Sequence, residues 1–426
     1  MQMALAISIF VIAYIFIASE KISRIAIALA GAAAMIVVGA TDADKAFYSH
    51  ETGVDWNVIF LLLGMMIIVG VIHKTGLFEF LAVTAIKKSK GSPKVALVYL
   101  MLLTAVASAI LDNVTTILLA VPMTLIVTRH LQVSPIPFIL AEVFVSNIGG
   151  AATLVGDPPN IIIASKADLT FNDFLTHMAP MVILVLIVVI PLIIYLFRVE
   201  LVNSASARDA VMKLDARTFL KDRVLLKKSV SVLSLVMVAF IGHSLLHLEP
   251  SIVALLGAGI LVAISGLKPS DYVQDVEWST LVFFAGLFIM VGGLVNVGAL
   301  EHFSKFLTDL FDGDIKLAAG TILGVSAVLS GIVDNIPYVA SMSPVVADLS
   351  LGLVGRQENV LWWSLAFGSD FGGNATIIGA SANVVAIGLA ARAGVHISFW
   401  KFSKYGVIVT AVSVALIYPY ILWYYF

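Results

Sequence analysis

The sequence predicts an all-helical, polytopic membrane protein with about ten transmembrane helices in two inverted-topology repeats. Three observations lead to this fold class: the composition, the long apolar runs and an internal duplication. The 426 residues are 60% hydrophobic and 12% charged, whereas a typical soluble domain is about 45–50% apolar and about 25% charged. The apolar runs are unbroken and do not alternate with polar residues, which favours helices over a barrel.

The duplication is visible in two glycine-rich segments. Residues 146–160 recur as residues 369–383, with seven of the 15 positions identical. The same offset, 222 to 223 residues, also superposes Asp112-Asn113 on Asp334-Asn335, Pro122 on Pro344, and Trp56, Gly64, Gly70, Gly76 and Glu79 on Trp278, Gly286, Gly292, Gly298 and Glu301. Matched breaks in two halves of a membrane protein are typical of the substrate site of a secondary transporter.

The apolar runs define the individual elements. Ten spans are predicted, approximately at residues 4–18, 25–40, 56–73, 95–128, 172–197, 229–247, 251–266, 278–297, 316–352 and 400–424. The fourth and ninth are long because each contains a break, at 112–113 and at 334–335. Two further apolar segments, 135–165 and 358–391, are each predicted to form a re-entrant hairpin of two half-length helices, since irregular backbone at membrane depth must be buried or line a cavity.

The basic residues orient this topology. We predict a first repeat at 1–200, a cytoplasmic linker at 201–228 and a second, inverted repeat at 229–426. With the loop of residues 198–228 in the cytoplasm, 20 of the 25 Lys and Arg residues fall on the cytoplasmic side, as the positive-inside rule requires of a multi-pass protein of the cell membrane. The linker is expected to be solvated, and a helix lying on the membrane surface is the alternative.

Composition also excludes several kinds of site. The chain has no cysteine, so disulfides and thiolate metal sites are excluded. We expect no metal centre and no cofactor. The net charge of −2 and the lack of a basic patch give no indication of nucleic-acid binding.

Acidic residues inside the spans are the first candidates for function. Asp112 and Asp334 lie at the breaks of the two long spans, where an aspartate costs about 2.5–3.5 kcal/mol to insert. We predict that they carry the coupling proton or ion; the alternative is that they only cap half-helices. Asp370 and Glu142 are further candidates, and Glu142 is equally compatible with a solvated residue facing a cavity. Asp157 is interpreted as a cap or a gate.

The segments around these acids supply amide, hydroxyl and glycine positions. Glycine permits close approach of a ligand or chain, and amides and hydroxyls both donate and accept hydrogen bonds. The predicted substrate-binding residues are Asn113, Asn147, Gly149, Gly150, Thr153, Asn160, Asn335, Gly372, Gly373, Asn374, Thr376 and Asn383. The alternative is that they form tight turns whose polar groups satisfy only the backbone. These segments contain no Lys or Arg, which favours a cation, a proton or a neutral polyhydroxy substrate.

The two motifs carry a family resemblance. Residues 111–119, Leu-Asp-Asn-Val-Thr-Thr-Ile-Leu-Leu, and residues 147–160 are similar to segments of the ArsB-like permeases and of the melanosomal P protein. The chain resembles the ArsB/NhaD branch of the ion transporter superfamily over essentially its whole length. The resemblance implies an inverted-repeat fold with a scaffold region, a moving transport region and a possible homodimer. Relatives in this superfamily move arsenite or antimonite, sodium, or organic anions.

These features together predict a secondary transporter and not an enzyme. The leading hypothesis is proton-coupled efflux of arsenite or antimonite, small inorganic substrates that an amide- and hydroxyl-lined pocket can hold without thiolates. A sodium/proton antiporter is the alternative, and an organic-anion symporter of the dicarboxylate or citrate type is a further one. The expected partners are the substrate, protons or sodium, and the lipid bilayer. Association with a separate ATPase subunit is left open.

Overall fold

The chain is helical throughout the part that the computed structural model describes, residues 1–19, 21–201, 215–246 and 248–426. The first half contains α1 (Gln2–Ser19), α2 (Arg24–Val37), α3 (Ala43–Tyr48), α4 (Trp56–Lys74), α5 (Leu77–Ser89), α6 (Pro93–Ile110), α7 (Asn113–Leu131), α8 (Ile136–Gly150), α9 (Pro158–Ala167), α10 (Phe171–His177) and α11 (Ala179–Leu196). The second half contains α12 (Arg223–Leu246), α13 (Pro250–Ser265), α14 (Pro269–Val273), α15 (Trp278–Asn296), α16 (Ala299–Phe311), α17 (Ile315–Ser330), α18 (Asn335–Leu349), α19 (Val360–Gly372), α20 (Ser381–Arg392) and α21 (Phe399–Tyr424).

Length and composition mark candidate membrane helices. Among the described residues, eight helices are long and apolar enough to cross a membrane by these two criteria: α1, α4, α6, α7, α11, α12, α15 and α21. No strand occurs among the described residues. The predicted fold class, an all-helical polytopic protein with a broken helix and a hairpin in each repeat, is confirmed.

The duplication is preserved in the local structure. α4 and α15 are both 19 residues long and begin at Trp56 and Trp278, which are equivalent positions. The Trp56 indole donates to the carbonyl of Phe47 at 3.0 Å, and the Trp278 indole donates to that of Val273 at 3.2 Å. The same anchor therefore begins the same helix in each copy.

A pair of short helices follows these spans and was not predicted. α5 and α16 are each 13 residues long, about 20 Å at 1.5 Å per residue, which is shorter than a bilayer core. Each is preceded by a glycine in the left-handed region, Gly76 at φ 78° and Gly298 at φ 73°. Their sequences mix polar and apolar residues and lack the unbroken apolar run from which the spans are predicted.

The two copies pack against each other through small residues. Gly64 of α4 lies against the backbone of Ala254 in α13, and Gly286 of α15 lies against that of Ala28 in α2. A side chain at either glycine would collide with backbone atoms, so these helices can approach closely only at glycine. The contacts are reciprocal, since each repeat supplies the glycine of one contact and the alanine of the other.

The helices that carry the motifs run in an unexpected direction. In the second repeat, α17 contacts α19 and its following loop through Leu323 with Gly368, Ala327 with Gly372, and Gly331 with Thr376. Both residue numbers rise together, so α17 and α19 are parallel. In the first repeat, Ala105 with Gly149 and Ala109 with Thr153 show that α6 and α8 are parallel too.

Parallel packing corrects the predicted position of the hairpins. Because α6 and α8 start at the same end, the intervening α7 must return to that end, and α6–α7 is the re-entrant hairpin with its tip at Asp112. The same holds for α17–α18, whose tip is at Asp334. The segments 135–165 and 358–391, which were predicted to be hairpins, are instead the broken helices α8–α9 and α19–α20.

Contacts along α4 show that α8–α9 crosses from one face to the other. Ser165, near the end of α9, donates to Asp55 at the start of α4 at 2.5 Å. Val69, near the other end of α4, packs with Leu119 of α7. α7 and α9 thus lie towards opposite ends of α4, and α8 begins at the end where α7 stops. Moving the hairpins to α6–α7 and α17–α18 leaves the number of membrane crossings unchanged. It places Arg129 on the cytoplasmic side and Arg356 on the opposite side, so the number of cytoplasmic Lys and Arg residues is also unchanged.

The predicted linker is only partly described. Residues 202–214 lie outside the described part of the chain. After them come a 3-10 helix, Ala216–Phe219, and then α12, which begins at Arg223, earlier than predicted. The amide of Lys221 donates to the carbonyl of Thr75 at 2.9 Å, which ties this segment to the end of α4. The predicted domain boundaries themselves remain a prediction.

Candidate functional site

The two hairpin tips meet at a carboxylate of the first broken helix. The Asn113 amide donates to Asp157 Oδ2 at 2.9 Å, and the Asn335 amide lies 3.4 Å from both Asp157 oxygens. Asp157 is the N-cap residue of α9, and its side chain is fully buried. The two predicted asparagines are thus brought together, and Asp157 is their shared acceptor.

Asn147, at the end of α8, connects the two broken helices. Its amide nitrogen donates at 2.9 Å both to Asn374 Oδ1 and to Asn383 Oδ1. Its amide oxygen accepts from Asn113 at 3.3 Å. Four asparagines from both repeats therefore form one buried network.

The threonines of the loops fasten each loop to the neighbouring hairpin. Thr153 Oγ1 donates to the carbonyl of Ala109 at 2.6 Å, and Thr376 Oγ1 donates to that of Gly331 at 2.6 Å. Asn160 in turn donates to the carbonyl of Thr153 at 3.1 Å. These hydroxyl groups hold backbone in place, which agrees with the alternative interpretation of the loops as satisfied turns.

The predicted glycines serve close helix packing. Gly149 and Gly372 lie against the backbones of Ala105 and Ala327. A Cβ atom at Gly372 would lie 2.5 Å from the carbonyl oxygen of Ala327. Gly150 and Gly373 pack against the loop glycines 156 and 379 of the same broken helices.

The acids at the hairpin tips are helix caps, and one of them has a basic partner. Asp112 Oδ1 accepts from the amide of Thr115 at 2.8 Å, and Asp334 Oδ1 accepts from the amide of Ile336 at 3.1 Å. Asp334 Oδ2 also accepts from Arg24 at 3.2 Å and from the Ser381 hydroxyl at 2.5 Å. No corresponding basic partner of Asp112 occurs in the described structure.

Asp370 stands apart because neither of its carboxylate oxygens accepts a hydrogen bond. It replaces Asn147 at the equivalent position and is fully buried. Asn160 is its side-chain neighbour, yet both Asp370 oxygens and the Asn160 oxygen lack a hydrogen-bond partner. Buried acceptors are normally satisfied, so a proton, a cation or a water molecule is expected to bind beside these three acceptors.

Glu142 lies outside this network. It is buried in α8, and both of its oxygens contact the Thr124 hydroxyl, at 2.7 and 2.6 Å. The structure does not bring it into contact with the asparagines of the central network.

The central acids and amides lie together in one buried region, here called the central chamber. Its four aspartates, Asp112, Asp157, Asp334 and Asp370, are at most 9% exposed, and Asp157 lies within electrostatic range of the other three. Arg24 is the basic residue that reaches them in the described chain. Such a chamber attracts cations or protons, and an anion can enter it only with its charge compensated.

Two residues of this chamber were missed by sequence reasoning. Arg24 begins α2 and Ser381 begins α20, some 357 positions apart along the chain. Arg24 donates to the Ser381 hydroxyl at 2.6 Å. In the sequence, Arg24 has the pattern of an ordinary basic residue at a span end, so only the packing of α2 against the second repeat identifies it. Its presence corrects the expectation of a site without basic residues.

Comparisons with known proteins agree with this fold. The model of the citrate transporter family matches residues 14–368. An uncharacterized transporter of Mycobacterium tuberculosis is 54% identical over 412 residues, covering 96% of each chain. The 46 kDa membrane protein of Mycobacterium leprae is 50% identical over 413 residues, covering 97% of this chain and 96% of that protein.

More distant relatives extend the picture. The human P protein is 32% identical over 491 residues, covering 97% of this chain and 59% of that longer protein. The crystal structure of the Alcanivorax borkumensis YdaH transporter, described as having an unusual topology, matches with a TM-score of 0.55 at 13% identity, covering 85% and 84% of the two chains. The resemblance to the P protein is confirmed, whereas the ArsB/NhaD branch remains a prediction. The chain is a multi-pass membrane protein that belongs to the citrate transporter family.

Proposed function

We propose that this protein is a cation-coupled secondary transporter of the cell membrane that carries a small polycarboxylate of the citrate type. The observation that supports this substrate is the contact of Arg24 with Asp334 and Ser381 at the edge of the chamber. The family match supports the same class. The acids of the chamber supply the cation coupling.

Arg24 is suited to a carboxylate ligand. A guanidinium group binds carboxylates through paired N–H donors, and here it already binds one, that of Asp334. The Arg24 side chain remains 39% exposed, so a substrate carboxylate can reach it. The Ser381 hydroxyl accepts from Arg24 and donates to Asp334, so it holds the guanidinium in place.

The four aspartates determine how such an anion must be carried. A polyanion beside several buried carboxylates is repelled unless protons or cations neutralise them. Asp370, with no hydrogen-bond partner, is the residue that most needs a proton or cation. Coupling of the anion to cations follows from this charge balance.

Flux into proteoliposomes tests the proposal. Labelled citrate is offered under an inward proton gradient, an inward sodium gradient, or with magnesium ions present. Arg24→Gln should reduce uptake at least about tenfold, the usual cost of losing a hydrogen bond to a charged group, while the exposed Lys21→Gln serves as a matched control. If the wild type takes up no citrate under any of these conditions, the substrate assignment is wrong.

A sodium/proton antiporter is the second candidate, and the excess of acids over bases in the chamber favours it. In the same vesicles, a sodium-dependent pH change without any citrate effect would support it. Arsenite efflux, the leading hypothesis from the sequence, rests on the amides of the central network as donors to an uncharged trihydroxide. Arsenite-driven proton movement that is equal in wild type and Arg24→Gln would favour that substrate.

A further inference from the structure

A small cavity lies inside the first repeat, away from the central chamber. Its volume is about 20 Å³, and α5, α6, α7 and α8 line it. Its polar lining consists of Thr104, Thr116 and Glu142. Thr116 is 2% exposed, and its hydroxyl has no hydrogen-bond partner. A space of about 10–15 Å³ with two or more polar neighbours is enough for one water molecule.

Glu142 has unused hydrogen-bonding capacity towards this cavity. The Thr124 hydroxyl, which has one hydrogen to donate, contacts both carboxylate oxygens. At most one oxygen can therefore receive that hydrogen, and the other remains available. A water molecule between Glu142 and Thr116 would satisfy both residues.

No charged group compensates Glu142. The charged side chains of α5, α6 and α7, which surround the cavity, are Glu79, Lys87, Lys88, Lys94, Arg129 and His130. Those of α19, α20 and α21, which pack on α8 from the other side, are Asp370, Arg392, Lys401 and Lys404. α11, which also packs on α8, has none. Among these described residues, none forms an ion pair with Glu142.

The second repeat has different residues at the equivalent positions. Leu365 occupies the position of Glu142, and Tyr338 occupies that of Thr116. The Tyr338 hydroxyl lies 3.0 Å from Ser326 Oγ, and Ser326 is the counterpart of Thr104. A leucine thus stands in place of the acid, and a tyrosine with an internal hydrogen bond stands in place of the unpartnered threonine. The buried carboxyl group is therefore specific to the first copy.

We infer that Glu142, together with one water molecule held by Thr116, is a proton-binding site separate from the central chamber, and that it carries a coupling proton in addition to the cations bound by the chamber acids. Glu142 lies five residues before Asn147 on α8, about 7.5 Å along the helix. A movement of Asn147 in the chamber can thus be transmitted to Glu142 along α8. Its role in coupling rests on the proposed function, whereas proton binding itself does not.

Two transport assays on full-length protein in liposomes test the coupling. Exchange of labelled for unlabelled citrate at equal pH needs no net proton movement, while uptake under an inward proton gradient does. Glu142→Gln should keep exchange within about twofold of wild type and lose gradient-driven uptake at least about tenfold. The matched control is Ser364→Ala, which removes a buried hydroxyl that bonds only within α19. An equal loss of both activities in Glu142→Gln would overturn the coupling role.

Infrared difference spectroscopy tests proton binding without any substrate. A protonated, buried carboxyl group gives a carbonyl stretching band that changes with pH. The band should be absent from Glu142→Gln and shifted in Thr116→Val, which removes the partner of the water. An unchanged band in both variants would refute the site. If wild-type protein shows the band but no citrate flux, the proposed substrate fails and the proton site stands.

Discussion

Asn113 and Asn335, equivalent residues of the two repeats, donate to the same carboxylate, that of Asp157. Neither repeat alone could form this arrangement, because Asp157 has no acidic counterpart: the equivalent position is Ala380. The two hairpin tips are thus held by one asymmetric residue. A proton or cation at Asp157 would be sensed by both tips together.

This arrangement makes Asp157 the most sensitive acid of the chamber. Asp157→Asn preserves the shape of the side chain but removes its charge and one acceptor. We expect transport to fall at least about tenfold, with the melting temperature changed by only a few degrees. Asp168→Asn is the control, since Asp168 is the exposed C-cap of α9 in the left-handed region, where Asn is tolerated. Wild-type flux in Asp157→Asn would exclude Asp157 from coupling.

The packing role of the glycines gives a prediction about stability. Gly372→Ala would place a Cβ atom 2.5 Å from the carbonyl oxygen of Ala327, and such overpacking typically costs about 1–3 kcal/mol. Gly388→Ala, on α20, meets no atom within 4 Å and should be neutral or stabilising. Thermal unfolding in detergent compares the two variants. Equal melting temperatures would contradict the close approach of α17 and α19.

The ion pair at the edge of the chamber predicts opposite effects of two equivalent mutations. In Asp334→Asn the guanidinium of Arg24 loses its charged partner, so a substrate carboxylate binds it with less competition. We expect the half-saturating citrate concentration in exchange to fall about threefold or more. Asp112→Asn should not lower it, because Asp112 has no basic partner among the described residues. The proposal for Arg24 fails if both variants respond alike.

The absence of cysteine allows a direct test of the hairpin. Single cysteines are introduced at three exposed positions: Lys94, in the first turn of α6, Ser134, between α7 and α8, and Asp168, after α9. In vesicles of one orientation, an impermeant maleimide should label Lys94→Cys and Ser134→Cys from the same side and Asp168→Cys from the opposite side. Labelling of Lys94→Cys and Ser134→Cys from opposite sides would show instead that residues 135–165 form the hairpin.

Much of the architecture is determined by local sequence. Apolar length fixes the spans, as α4 and α15 show, because a helix satisfies its own backbone wherever it meets lipid. The breaks at Asp112 and Asp334 are equally local, since each aspartate caps the helix that follows it. The repeat offset then assigns equivalent residues without any structure. All the central asparagines were found in this way.

Tertiary packing decided the rest. Whether a broken apolar segment turns back or continues depends on which helix it packs against, and only the parallel contacts of α6 with α8 assign the hairpin to Asp112. Arg24 enters the chamber for the same reason, because α2 packs against the second repeat. Apolar period and length describe one helix at a time, whereas the direction of a segment and the partner of a charge are properties of pairs of helices distant in sequence.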